Sequence, residues 1–137
     1  MSRSIFEKIR THAEKVYPEE CCGATLGIST EGIQEIKETI ELFNTENVSR
    51  ARRFLITPEQ YLQVEKLARQ RNLDLIGFYH SHPDHPPTPS KFDLDNALPS
   101  MIYFVVSVLN GSSDGICVWR LNDDRRGYSE QTMEFQV

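Results

Sequence analysis

Residues 73–79, Leu-Asp-Leu-Ile-Gly-Phe-Tyr, are apolar on both faces apart from Asp74 and run directly into His80-Ser81-His82-Pro83. A strand with two apolar faces needs cover on both sides, so this run predicts a central strand of a sheet. Successive side chains on a strand point to opposite faces. His80 and His82 therefore project together wherever the extended backbone continues to His82. Pro83 favours that continuation, because the residue before a proline is pushed towards extended conformations. Seven residues after His82 comes Ser90, and then Asp93, so the stretch reads H-x-H-x(7)-S-x-x-D.

Two imidazoles and a carboxylate make three protein ligands for a metal ion. A structural zinc site is normally closed by four, whereas a catalytic one keeps a position for water. The count points to a catalytic zinc held by His80, His82 and Asp93. Each part also has a plainer reading. Ser90-x-x-Asp93 has the form of a helix capping box, with residues 92–98 as a short helix. His-Ser-His-Pro alone fits a solvated loop.

With its spacing, the motif resembles the signature of the JAMM (MPN-plus) zinc metalloproteases, an upstream Glu followed by H-x-H-x(7)-S-x-x-D. The matching positions are His80, His82, Ser90 and Asp93, and the upstream part is similar to Pro18-Glu19-Glu20-Cys21-Cys22-Gly23, close to the P-x-E-x-C-G of small prokaryotic members. The resemblance covers nearly the whole chain. It implies Glu20 as the catalytic glutamate, with Glu19 as the fallback. It also implies one Zn2+ per chain and a curved mixed sheet flanked by helices, the MPN or cytidine-deaminase-like architecture of the α/β class. Residues 1–137 are then read as one domain of this kind.

Length and composition fit such a domain. At 137 residues the chain is long enough for a proper core. A net charge of −5 gives no reason to expect nucleic acid as a partner, and no apolar run approaches membrane-spanning length. The N-terminus lacks the apolar core of a signal peptide, so a cytoplasmic location is expected. Cys21, Cys22 and Cys117 make an odd set without C-x-x-C spacing, which favours free, packed thiols over a zinc cluster. A deaminase H-x-E with P-C-x-x-C is absent.

In chain order, residues 4–16 predict a helix, with Ser4 and Glu7 able to cap it and Ile5, Ile9, Ala13 and Val16 at helical spacing. His12 in this helix is read as a packing or surface residue. Strands are expected at 22–28 and 33–43 around a turn at 29–32, with Asn44 starting a polar loop that reaches Arg53. A short strand at 54–56 precedes a helix opened by Thr57, Pro58 and Gln60 and ended near Asn72. Further strands are expected at 101–109, 116–121 and 132–137, with turns at 110–115 and 122–127. Trp119 is read as a packing residue, and Asp84, His85 and Asp95 as loop residues outside the motif.

These readings combine into a hydrolase of an amide or isopeptide bond. Glu20 takes a proton from water and passes it to the leaving nitrogen, while the Ser90 hydroxyl stabilises the oxyanion. The family resemblance includes deubiquitinases and bacterial members that process ubiquitin-like sulfur carriers. Only seven residues, Leu94 to Ser100, separate Asp93 from the next expected strand, so the extra ubiquitin-gripping segment of larger members is missing or minimal. The expected substrate is an adduct after the C-terminal Gly-Gly of a ubiquitin-like sulfur-carrier protein. A deubiquitinase-like isopeptidase, a small-molecule amidase and a non-catalytic MPN assembly module remain the alternatives.

Overall fold

The structure, a computed structural model, describes residues 1–43, 56–98, 100–122 and 127–132. Helix α1 spans Arg3–Val16 and buries Ile5, Ile9, His12 and Ala13 on one face. Its cap is Ser2, whose hydroxyl accepts the Ile5 N–H at 3.3 Å, and not Ser4 as expected. The reason is local: Ser2 has the extended backbone of a cap residue, whereas Ser4 already lies in the first turn. Strands β1 (Cys22–Thr30) and β2 (Ile33–Leu42) form an antiparallel hairpin. Its turn uses positive φ at both Glu31 and Gly32, as a tight hairpin connection requires. Helix α2 (Pro58–Gln70) opens with both bonds of the expected capping box between Thr57 and Gln60.

Strand β3 spans Asp74–Pro83 and so carries both histidines within the strand itself. A short helix α3 (Lys91–Asp95) follows, then β4 (Ile102–Leu109), β5 (Ser112–Leu121) and β6 (Tyr128–Gln131). The six strands form one sheet in the order β2-β1-β3-β4-β5-β6. The β3–β4 pair is parallel and the other pairs are antiparallel, so the sheet is mixed.

Phe78 and Tyr79 show how the central strand is covered. Tyr79 packs with Ile9, Phe104 and Val106 under α1. Phe78 packs with Ala24, Val64 and Tyr103 under α2. Alternation then puts His80 and His82 on the α2 face with Phe78. Parallel strands cannot be joined by a tight turn, so the chain must cross over between β3 and β4. That crossover carries α3, and its Leu94, Leu98 and Met101 pack into the α2-side cluster. The same crossover brings Asp93 back over the face that presents the histidines.

Gly77 sits where β3 and β4 approach closely. A Cβ there would lie 1.8 Å from the Ile102 main-chain oxygen. Backbone cannot yield as a side-chain tip can, so Gly77→Ala should destabilise the fold by about 3 kcal/mol or more. Urea unfolding would measure this, and a wild-type midpoint would refute it.

The expected turn at 110–115 is tighter than anticipated. Asn110 and Gly111 take positive φ and β5 starts already at Ser112. The last described strand precedes the one expected at 132–137, because Tyr128–Gln131 is too polar to stand out as a strand in the sequence. Residues 133–137, the polar stretch 44–53 and residues 54 and 55 of the expected short strand lie outside the described residues, and Ile56 is not in a strand. Among the described residues no helix is long and apolar enough to cross a membrane.

Candidate metal centre

Four side chains from three parts of the chain meet on the α2 face of β3. His80 and His82 come from the strand, Asp93 from α3, and Glu20 from the segment between α1 and β1. One ligand atom of each lies within 4.8 Å of those of the others, and all four residues are buried. The expected Glu20, His80, His82 and Asp93 are therefore brought together. Glu19 is exposed, and so is set apart from its neighbour Glu20.

The tightest part is a triangle. His80 Nε2 lies 3.2 Å from His82 Nε2, and Asp93 Oδ2 lies 3.1 Å and 3.0 Å from these two nitrogens. Ligands at about 2.0–2.1 Å around a tetrahedral ion would be about 3.3 Å apart. The triangle thus has the size of one face of such a shell. The chemistry of the donors also fits. The Pro86 carbonyl accepts a hydrogen bond from His82 Nδ1 at 2.9 Å, which leaves the lone pair of that imidazole on Nε2, towards the cluster. Burial raises the cost of a charged Asp93, but the two histidines and the Ser90 N–H outweigh it and hold the carboxyl well below the usual carboxylate range. Burial also lowers the pKa of His80, against the pull of Asp93, so its imidazole is kept neutral. These residues can hold a divalent metal ion.

Ser90 and Asp93 satisfy the plainer reading as well. Asp93 N–H donates to Ser90 Oγ at 3.1 Å, and Ser90 N–H donates to Asp93 Oδ2 at 2.8 Å. This reciprocal pair caps α3 and at the same time fixes the carboxylate that faces the histidines. One motif does both jobs.

A feature that the residue pattern did not reveal is the anchoring of the loop between His82 and Ser90. Three successive carbonyls accept from side chains of three different strands. His85 O accepts from Ser107 Oγ at 2.6 Å, Pro86 O from His82 Nδ1, and Pro87 O from Trp119 Nε1 at 3.0 Å. Trp119 therefore does more than the packing expected of it. Pro86 and Pro87 have no N–H to offer a ladder, but their carbonyls remain strong acceptors. His12, expected to pack, is buried with Nδ1 2.6 Å from the Tyr79 hydroxyl on the opposite face.

Glu20 and His82 of the cluster line an open cavity of about 520 Å³, together with His85, Thr88 and Ser90 among others. Glu20 is 1% exposed, and burial, with a further push from Asp93, raises its carboxyl to about 9. A proton that binds more tightly in the folded state stabilises the fold at low pH, and that stability is lost as pH rises from 4.5 towards 9. The lowered His80 and His12 have the opposite sign, but their effect is complete above 6.5. Chelator-treated protein should therefore lose on the order of 2–3 kcal/mol of stability between pH 7 and pH 9. Glu20→Gln should flatten that slope in a denaturant series. An unchanged slope would show that another group titrates.

The family profile described as prokaryotic homologs of the JAB domain matches residues 2–122. The chain belongs to this family. It is a compact prokaryotic member of the JAMM group, as its motif resemblance implied. It is similar to the desampylase of Haloferax volcanii, 29% identical over 107 residues, covering 76% of this chain and 73% of that protein. It is also similar to a probable TtuB-protein conjugate cleaving protease of Thermus thermophilus, 30% identical over 95 residues, covering 69% of this chain and 60% of that protein. In fold it matches the crystal structure of a JAB1/MPN domain protein from Archaeoglobus fulgidus, with a TM-score of 0.62 at 18% identity over 99% of this chain and 94% of that one. The expected MPN-type α/β architecture is the one observed.

Proposed function

We propose that the protein is a zinc-dependent isopeptidase that cleaves after the C-terminal Gly-Gly of a ubiquitin-like sulfur-carrier protein. The observation that carries this reading is the triangle of His80, His82 and Asp93, with the buried Glu20 beside it and an open cavity lined by Glu20 and His82. The names of the Haloferax and Thermus relatives support the class of substrate.

His80, His82 and Asp93 are the ligands in this proposal, for one zinc per chain. A bound zinc ion would lower the pKa of water and polarise a carbonyl oxygen. The charge of such an ion would also counter the burial that raises the Glu20 carboxyl. The remaining work falls to the chain. The ionised Glu20 takes the proton of the attacking water and delivers it to the leaving nitrogen. Ser90 Oγ accepts from the Asp93 N–H, so its own proton is available to donate to the developing oxyanion. The anchored 85–87 carbonyls keep the cavity wall in place while the tail is bound.

The shape of the site favours a protein tail over a small molecule. His85, Pro86, Thr88 and Ser90 are exposed along the cavity, whereas Glu20 and His82, which also line it, are buried. An extended tail can lie in such a groove with only its end reaching the buried groups. Glycines suit that end because neither has a side chain to clash. The connection from α3 to β4 is only residues 96–101, too short to hold a large additional gripping segment. A cytoplasmic setting belongs to the same proposal, and the three cysteines are free, as expected there.

The test is incubation with sulfur-carrier proteins extended beyond their Gly-Gly end, read by mass spectrometry, with zinc measured by elemental analysis. Release of the extension by protein carrying one zinc is expected. Changing the glycine before the cut to valine should abolish cleavage, while changes beyond the cut should matter less. Equal cleavage of glycine and valine tails would favour a general peptidase, and zinc-free protein with full activity would overturn the metal assignment.

A further inference from the structure

The H-x-H pattern leaves the residue between the two histidines open, yet the structure gives it a defined partner. Ser81 is fully buried on the face opposite to the cluster. Its Oγ accepts the Cys21 N–H at 2.8 Å, and its own N–H donates to the Cys21 carbonyl at 3.3 Å. The β1–β3 register begins one residue later, with Cys22 opposite His80. Directly paired residues in an antiparallel ladder exchange both bonds through their backbones. Here one of the two has been replaced by a side-chain hydroxyl, so Glu20 and Cys21 are held outside the regular ladder.

The consequence for Glu20 is geometric. The Cys21 N–H belongs to the planar peptide whose carbonyl is that of Glu20. Fixing the direction of that N–H fixes the plane, and with it the direction in which the Glu20 side chain leaves the backbone. The bond is buried, with Glu20, Cys21 and Ser81 all at most 2% exposed. Loss of the hydroxyl would leave a buried N–H unsatisfied, and the 20–21 peptide would turn to find another partner. Because Ser81 lies between His80 and His82, one strand residue ties the carboxylate to the pair of imidazoles.

We propose that Ser81 is the positioning residue for Glu20, its hydroxyl setting the 20–21 peptide so that the carboxylate faces the His80–His82–Asp93 cluster. The inference rests on the hydrolytic reading above and deepens it.

The test uses Ser81→Ala, Ser81→Thr and both changes combined with Glu20→Gln, all in the zinc-loaded full chain. Ser81→Ala should keep one zinc per chain and a KM within about 3-fold of wild type, while kcat falls by about 10- to 100-fold, the scale on which small misplacements act. Ser81→Thr keeps the hydroxyl and should restore kcat to within about 3-fold. In the Glu20→Gln background, Ser81→Ala should have no further effect, since it acts through Glu20. A structural readout is independent of turnover: hydrogen exchange of the Cys21 amide should quicken by about 10-fold or more in Ser81→Ala and stay slow in Ser81→Thr.

Wild-type kcat in Ser81→Ala, an unchanged Cys21 exchange rate, or the same fractional loss with and without Glu20 would each overturn the proposal. If Ser81→Ala fails to fold, Ser81→Thr and Ser81→Thr/Glu20→Gln still decide it, since a folded threonine variant with slow Cys21 exchange but lost turnover is excluded by the proposal. Full turnover in Glu20→Gln would overturn the hydrolytic reading, and this inference with it. An inactive Glu20→Gln beside a fully active Ser81→Ala sinks this inference alone.

Discussion

Glutamine in place of Glu20 should leave zinc bound and lower turnover by about 10²-fold or more, within the range for loss of a general acid–base group. The substitution keeps size and hydrogen-bonding capacity in a position that is 1% exposed, so the packing around it is retained. The three proposed ligands, His80, His82 and Asp93, make the tight 3.0–3.2 Å triangle and are unchanged in this variant. Elemental analysis should accordingly give one zinc per chain in wild type and variant alike. Glu19→Gln is the control. Glu19 is exposed, and its variant should turn over like wild type. An inactive Glu19→Gln beside an active Glu20→Gln would place the base at the wrong residue.

The second large effect is loss of metal from His82→Ala. Removing this imidazole takes away one corner of the triangle and the hydrogen bond to Pro86 O. Asp93 then loses one of the two histidines that hold it ionised against burial. Loss of a group that merely orients a ligand typically costs 10- to 100-fold in metal affinity. Loss of a ligand itself should cost at least about 100-fold, so dialysed His82→Ala should retain little zinc and negligible hydrolysis. His80→Ala should behave in the same way. Full zinc occupancy in either variant would mean that the metal is held elsewhere.

Much of this was legible along the chain because it depends on local periodicity. Two histidines two residues apart on a strand must share a face, and β3 does continue through Pro83. Thr57, Pro58 and Gln60 cap α2 as their chemistry demands. The cap of α1 was misplaced by two residues, since both Ser2 and Ser4 can serve and only the backbone chooses between them. Tyr128–Gln131 escaped notice because an edge strand of polar residues carries little apolar signal.

The sequence by itself determined the donor set: which imidazoles and which carboxylates were available, and that His80 and His82 would point the same way. It could not choose between Ser90-x-x-Asp93 as a cap and as part of a metal site, and the structure shows that the pair caps α3 while Asp93 also stands in the cluster that could hold a metal ion. Only the tertiary structure brought Glu20 to the cluster, 60 residues from His80 in sequence, through the pairing of β1 with β3. It also decided that Glu20 and not Glu19 is buried, and tied Ser81, Ser107 and Trp119 to the segments around the site. The physical reason is that side-chain alternation and capping are set within a few residues. Strand pairing and crossover are set by burying both faces of the central sheet, and that is a property of the whole chain.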